Sequence, residues 1–403
     1  MKIYEYKRGE NERTALIFGI PVMKQTSDYM TSERHQEFLG GLITTTKLNS
    51  KESDSSNKEI KILGKSVIKR VEENNYRVYS FLGKEYKKIS LLKEFKKLYF
   101  KYFSNEYDDI YILRANSGEI YLTLTYLIDS LIKKNGSKKP LLVATKKYHI
   151  DMIKMICPDL PFVYIKKLNL KVVGDTFKID NYRFFLLYDS IHFRKVEIDI
   201  KENELGKHHY FKSILDRLNM SEDDLKMRKM NVLHSAEQSM LEKVEKTGLN
   251  LNKFVFLAPE AQSCKLYDED FWVVLINKLQ EMGYDVFVNL TEKDIKLKNA
   301  IDFKTCDLSF AEAFALAKKA KRIVSLRSGF TEFLLQTDVP IDVLYTKFRH
   351  RHIFNDMAVE YVLSGFGLSK LPNVDSNKVL EFNMSEVNNR EVIKNIVNRI
   401  NGV

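Results

Sequence analysis

The chain has 403 residues, 44% of them hydrophobic and 30% charged, which suffices for two or more domains that each bury a core. Its net charge of +11 fits nucleic acid, an anionic membrane face or a phosphorylated substrate as partner and selects none of them. Cys157, Cys264 and Cys306 are spaced too widely for a zinc signature or a disulfide framework, so a reducing cytoplasm is expected. The N-terminus MKIYEYKRGENER lacks the apolar core of a signal peptide, and no window approaches a membrane span. The expected protein is cytoplasmic, either soluble or peripheral on the inner face of the cell membrane.

Residues 1–108 carry 21 Lys/Arg against 15 Asp/Glu, a basic extension ahead of the rest. Four short stretches in it look alike: Ile17-Phe18-Gly19-Ile20-Pro21-Val22, Phe38-Leu39-Gly40-Gly41-Leu42-Ile43, Ile62-Leu63-Gly64-Lys65-Ser66-Val67 and Phe81-Leu82-Gly83-Lys84-Glu85-Tyr86. Apolar residues around a glycine read as small β-hairpins with glycine in the tight position. The polar stretch 49–57 reads as a loop. Residues 84–103, KEYKKISLLKEFKKLYFKYF, hold seven lysines among aromatic and aliphatic residues. As a helix they would present an apolar face of Leu91, Leu92, Phe95, Leu98, Tyr99 and Tyr102. Such a helix suits an anionic membrane surface, and equally suits packing on its own domain or a partner. No nucleic-acid module surrounds it, so nucleic acid is not an expected partner.

From residue 109 the pattern becomes strand–helix alternation, the mark of a parallel α/β layer. Residues 110–113 read as a strand, followed by a loop with Asn116, Ser117 and Gly118 and a helix from about 120. Further strands are expected at 140–145, 161–165 and 182–188, and helices at 149–156 and 208–220. Glu119, directly after Gly118 at the strand-to-helix turn, is the candidate general base, because a carboxylate at that edge can take a proton from a bound hydroxyl. It also reads as an ordinary acidic residue in a helix's first turn. Asn116, Ser117, His208 and His209 are acceptor-side candidates, although histidines at a helix start are commonly surface residues. A single glycine between 114 and 120 is too few for a dinucleotide fingerprint, and no Walker A loop is present. The dispersed histidines give no metal-ligand spacing.

The second α/β half begins near 246, with strands at 252–258 and 284–290, helices at 271–282 and 308–319, and a strand ending in Arg327-Ser328-Gly329. A helix starts there and the strand Ile341–Tyr345 follows. Ligands of open parallel sheets sit at this carboxyl edge. Helix N–H groups favour a phosphate, and arginine adds a bidentate grip. Lys265, a few residues past the 252–258 strand, stands at the same edge and can neutralise a diphosphate. Both cations also read as ordinary solvated residues. Glu332, one turn on, is a candidate for a ribose hydroxyl or for capping helix charges. A C-terminal helix is expected at 385–400.

Across roughly 109–375 the arrangement resembles the two-domain inverting glycosyltransferases of the GT-B fold, in their heptosyltransferase-like branch. Gly118-Glu119 stands where that family has Gly-Asp, Ala258-Pro259-Glu260 with Lys265-Leu266-Tyr267 where it has a Pro-Gly-type loop with Lys and an aromatic, and Arg327-Ser328-Gly329 where it has Asp-Ser/Thr-Gly. The base is thus Glu in place of Asp, Arg327 replaces an acidic residue, and Glu332 stands where a histidine is expected. The resemblance implies an α/β protein of two Rossmann-like domains facing a cleft, 109–245 for acceptor and 246–403 for donor, with a C-terminal helix crossing back to the first domain and residues 1–108 as a partly β extension. It implies transfer of a sugar from a nucleotide-sugar donor to a glycan or lipid-linked acceptor, with inversion and with no metal or other cofactor. The front repeats resemble segments found beside transferases of capsule or surface-polysaccharide clusters. Competing readings are another nucleotide-sugar enzyme on this fold, such as an epimerase, a fucosyltransferase-like enzyme or a pyruvyl-type transferase, and a non-catalytic partner in a membrane glycan-assembly complex.

Overall fold

The computed structural model of the protein describes residues 4–8, 12–17, 20–28, 33–49, 56–73, 76–90, 106–113, 116–166, 176–179, 182–187, 209–261, 264, 266–290, 297, 300–347 and 359–401. The chain divides into two compact units, Met1–Tyr107 with Lys167–Phe184, and Asp108–Lys166 with Phe185–Val403. Each is taken by itself.

In the first unit, β1 (Tyr4–Arg8), β2 (Glu12–Ile17), β3 (Ile20–Asp28), β4 (Glu33–Phe38), β5 (Ile43–Asn49), β6 (Ser56–Ile62), β7 (Lys65–Glu73), β8 (Tyr76–Phe81) and β9 (Lys84–Ser90) form one antiparallel sheet in chain order. The Gly-centred stretches are its hairpin ends, with Ile17 opposite Ile20, Phe38 opposite Ile43, Ile62 opposite Lys65 and Phe81 opposite Lys84. At Leu63-Gly64 and Leu82-Gly83 both turn residues have positive φ (50° and 74°, 46° and 79°), the mirror-image turn that suits strand twist. Leucine in that region costs about 1 kcal/mol, because its Cβ crowds the following carbonyl, and asparagine or glycine is the usual occupant. Leu39 adopts the same conformation at φ 50°.

Two expectations change here. Residues 84–90 are not the start of a helix but β9, paired with β8 from Phe81–Lys84 to Tyr76–Ser90. The open edge of β8 offers a full ladder to a segment whose own preference is ambiguous, and pairing decides. Residues 91–103 of the expected amphipathic helix lie outside the described residues. The loop expected at 49–57 is shorter, since β5 runs to Asn49 and β6 starts at Ser56.

The second unit contains two sheets built around parallel strands. In the first, β10 (Asp109–Leu113) pairs with β11 (Pro140–Ala144), and β11 with β12 (Phe162–Tyr164), all in parallel. Of the later strands, β13 (Thr176–Ile179) falls in the first unit, and β14 (Tyr182–Leu187), which ends in this one, lies on the other side of β10. The chain after β10 is helical as α1 (Ser117–Leu122), a π-helical turn (Thr123–Leu127) and α2 (Ile128–Asn135), ended by Gly136 in a left-handed cap. Next come α3 (Lys147–Ile156), α4 (Tyr210–Leu218) and α5 (His234–Glu245). Arg228 ties this domain together, its guanidinium bonded to Asp129 of α2 at 2.6 Å and to Asp159.

The second sheet runs β16 (Asp285–Val288), β15 (Phe254–Ala258), β17 (Arg322–Leu326), β18 (Ile341–Tyr345) and β19 (Val379–Asn383), every pair parallel. Its helices are α6 (Glu269–Glu281), α7 (Phe310–Ala317), α8 (Gly329–Leu334), α9 (Val359–Phe366) and α10 (Asn389–Asn401). Alternation along β15 sends Phe254 and Phe256 into one core and Val255 and Leu257 into another. The second core also holds Leu275 and Leu279 of α6 and Val392 and Ile396 of α10, so α10 packs on its own sheet, where a crossing to the first domain was expected. Arg322 and Asp342 form a fully buried ion pair across β17 and β18, with Arg399 of α10 3.6 Å from Asp342. The other core is continuous between the two α/β domains, joining Tyr121 and Leu122 to Phe314 and Phe333. Two α/β domains with a β-rich N-terminal extension make a GT-B-type architecture.

Strand order places the functional edge. In the first sheet the order reverses at β10, flanked by β11 and β14, and in the second between β15 and β17. At such switch points the loops leave in opposite directions and open a crevice at the carboxyl ends. The turn after β10 carries Glu119, and the turn after β17 carries Arg327, Ser328 and Gly329.

Candidate functional site

The two turns touch. A Cβ placed on Gly118 would stand 2.4 Å from Glu332 Oε2 and 3.1 Å from the Cα of Gly329, and one placed on Gly329 would stand 2.6 Å from both the Gly118 nitrogen and Ser117 Oγ. Only hydrogen fits at either position, so the two glycines are required by close backbone approach. The structure thereby brings Ser117, Gly118, Glu119, Gly329 and Glu332, distant in sequence, into one place.

Glu119 lies in the first turn of α1, half-buried, and no other side chain among the described residues hydrogen-bonds its carboxylate. Enclosure pushes its carboxyl up to about 7, and the negative Glu332 adds to this, against its own backbone N–H and the cations Lys146 and Arg327. Lys146 comes from the end of β11, just before α3. Its ammonium donates to Asn116 Oδ1 at 3.3 Å and to the Tyr148 hydroxyl at 3.0 Å. Burial holds that ammonium below the ordinary lysine range, opposed by the charge of Glu119. The Tyr148 hydroxyl is pushed up by burial and by Glu119, and its ring stacks on Phe310 of the second domain at 6.0 Å.

In the second turn, Ser328 caps α8 reciprocally with Thr331: Ser328 N–H donates to Thr331 Oγ1 at 3.0 Å, and Thr331 N–H to Ser328 Oγ at 3.3 Å. Arg327 is 8% exposed, and its guanidinium donates to the Phe366 carbonyl at 3.1 Å, to the Ser328 carbonyl at 2.8 Å and to Glu332. Burial works against its charge, but the carboxylate of Glu332, with smaller contributions from Tyr210, Tyr345 and Cys264, holds its proton more tightly than in water. Glu332, 3% exposed, takes a further bond from the Tyr210 hydroxyl at 2.6 Å on Oε1. Its Oε2, pressed toward Gly118, has no hydrogen-bond partner. The result is a buried Tyr210–Glu332–Arg327 array behind the two glycines.

The remaining predicted residues are placed differently. His209 precedes α4; its Nε2–H donates to the Gly367 carbonyl at 2.9 Å and its Nδ1 accepts from Phe211 N–H at 3.4 Å. Burial lowers its pKa to about 3, so it is a neutral ring with both nitrogens occupied. His208 and Lys265 lie outside the described residues. Asn116 is exposed beside Lys146. Three residues at the site were not singled out from sequence: Lys146, Tyr148 and Tyr210. Lys146 was findable, because it stands after β11, before a helix, at the strand-end position that drew attention to Glu119 after β10. Tyr210 carried no such signal, since its partner Glu332 is 122 residues away.

Among the described residues no group of three or more His, Cys, Asp or Glu is placed to hold a metal ion, and no helix is long and apolar enough to cross a membrane. No family model matches the chain, and no curated protein matches it in sequence. Among solved structures it is similar to the glycosyl transferase family 9 protein of Veillonella parvula, at 11% identity over 74% of this chain and 98% of that one, with a TM-score of 0.47. It is also similar to ADP-heptose LPS heptosyltransferase II of E. coli, at 11% identity over 73% and 100% of the two chains, TM-score 0.43. The structure of accessory secretory proteins 1, 2 and 3 of Streptococcus pneumoniae aligns with 98% of this chain and 80% of that one, at 9% identity and a TM-score of 0.29. Likeness at this level gives no residue roles, which rest on the chemistry of the site itself.

Proposed function

We propose that the chain is an inverting, metal-independent glycosyltransferase that moves a sugar from a nucleotide-activated donor to a glycan or lipid-linked acceptor in cell-surface polysaccharide synthesis. The observation that carries this reading is the Glu119 carboxyl. It stands at a switch-point turn, has no hydrogen-bonding side chain on it among the described residues, and is poised near 7. A base of that pKa takes a proton at neutral pH and is not so weak that it fails to pull. In the reaction, Glu119 removes the acceptor hydroxyl proton while the oxygen attacks the anomeric carbon from the face opposite the leaving diphosphate. The bond to the diphosphate breaks, and the configuration inverts. Lys146, beside Asn116 and Tyr148, would orient the acceptor hydroxyl.

The leaving charge is assigned to Lys265, Arg327 and the backbone N–H groups at Ser328 and Gly329. In the described state Arg327 is engaged by Glu332 and two carbonyls, and Ser328 N–H by Thr331. Arg327 therefore acts from beneath unless its pair with Glu332 opens. Glu332 would reach a donor ribose hydroxyl only in that opened state.

The test begins with a thermal-shift screen of nucleotide sugars, since a ligand of the native state raises its melting temperature. Initial rates are then compared for wild type, Glu119→Gln and Glu119→Asp at saturating donor and acceptor. The Gln variant should lose roughly 10²–10⁴-fold in turnover with donor affinity nearly unchanged. The Asp variant should retain part of the rate. A Gln variant that turns over like wild type removes Glu119 as base.

A second reading, a non-catalytic partner of a glycan-assembly complex, is favoured by one observation. The backbone contact of Gly118 and Gly329 closes the space between the two turns. Donor binding measured calorimetrically, with no transfer to any glycan supplied, would favour it.

A further inference from the structure

The hairpin row at one end of the front sheet is left unused by the transfer chemistry. A meander in which every consecutive pair of strands is bonded sends alternate turns to the same end. The turns after β4, β6 and β8, three of the Gly-centred stretches, therefore form one row, with neighbouring tips two strands or about 10 Å apart. Backbone bonds lace the row together: Leu39 N–H donates to Val22 O at 3.0 Å, Leu63 N–H to Leu42 O at 2.8 Å, and Leu82 N–H to Val67 O at 2.9 Å.

These tips are built from the wrong residue for a turn. Leu39, Leu63 and Leu82 hold φ near +50° and are 62%, 72% and 63% exposed. A leucine there loses on backbone conformation and gains nothing from burial, and it occurs three times in equivalent places. An outlier repeated in this way points to use. Leu42, Ile62 and Phe81 beside the tips are also exposed. The segments 38–43, 62–65 and 81–84 hold two lysines, Lys65 and Lys84, and no acidic residue.

We propose that this row docks on an anionic lipid surface, with Leu39, Leu63 and Leu82 entering the acyl boundary and Lys65 and Lys84 meeting the headgroup phosphates. Protein interfaces bury a continuous apolar core from which lysine is depleted. Here the most exposed apolar groups are the turn leucines, and in two of the three turns a lysine follows the tip glycine. Side chains at intervals with cations one residue behind match the layering of a bilayer interface. This surface is independent of the transferase reading, so either can fail alone.

The experiment is cosedimentation of the full chain with vesicles of phosphatidylcholine alone and of equimolar phosphatidylglycerol and phosphatidylcholine. Wild type should bind the anionic vesicles and bind the neutral ones weakly. The variant Leu39→Asn/Leu63→Asn/Leu82→Asn should lose more than about tenfold in binding. Its melting temperature should hold or rise, because asparagine suits positive φ. Lys65→Glu/Lys84→Glu should lose binding to anionic vesicles only. Absence of wild-type binding, or equal binding by the asparagine variant, overturns the proposal. So does a wild type that self-associates through these leucines, seen as a sedimentation change in the variant without vesicle binding.

Discussion

Gly118 and Gly329 meet backbone to backbone, each filling the space that a side chain on the other would need. One ends the turn after the first strand of the first α/β domain, and the other opens α8 in the second. Their approach sets how near Glu119 stands to Glu332 and Arg327. The electrostatics of the site therefore follow from a steric fact about two residues that carry no charge.

Substitution at the two positions should differ in cost. A methyl on Gly329 meets backbone nitrogen and Ser117 Oγ at 2.6 Å, which cannot yield without parting the two turns. A methyl on Gly118 meets chiefly the Glu332 carboxylate, a side-chain end, although one pinned by Tyr210 and Arg327. Overpacking of this kind typically costs about 1–3 kcal/mol. Gly329→Ala should fall at the upper end and Gly118→Ala lower, read as denaturant midpoints at unchanged slope. A Gly329→Ala variant as stable as wild type would show that the turns separate freely.

The Glu119 carboxyl gives a pH signature in two observables. Raised to about 7, it is a base only when ionised, so kcat/KM should rise with pH and level off above that value. For stability the sign is opposite. A carboxyl whose folded pKa lies above its unfolded one contributes stability that is fully present below the unfolded value and lost as pH rises through the folded one. Between about 4.5 and 7, wild type should lose about 1–3 kcal/mol relative to Glu119→Gln, whose side chain does not titrate. Thermal melts of both proteins across this range check it, and parallel curves would place the carboxyl in ordinary solvent.

Much of this site was legible because one rule, chemistry at the carboxyl ends of parallel strands, needs only local sequence. Glu119, Arg327 and Ser328 follow from it, and so does the strand–helix alternation from 109 onward. Tyr210 and the Gly118–Gly329 contact were hidden because they depend on which turns face each other, a long-range fact without periodicity. Arg327 shows the same limit: its position was readable, but its engagement by Glu332, Ser328 and Phe366 was not. Residues 84–90 misled because lysines interleaved with apolar residues serve a helix flank or a strand equally, and only the open edge of β8 decides.

The Tyr210–Glu332–Arg327 array supplies the last prediction. Glu332 places a negative charge near Glu119 and spends part of the charge of Arg327 at the same time. Glu332→Gln removes the first effect and releases Arg327 from the second, and both changes favour the ionised form of Glu119. The midpoint of the kcat/KM profile should therefore move to lower pH. Tyr210→Phe withdraws a hydrogen bond at 2.6 Å from Glu332 without altering net charge, so it should loosen the array yet shift the midpoint less. A shift shared equally by both variants would trace the effect to packing rather than charge. A midpoint unmoved in Glu332→Gln would mean that burial alone sets the Glu119 carboxyl.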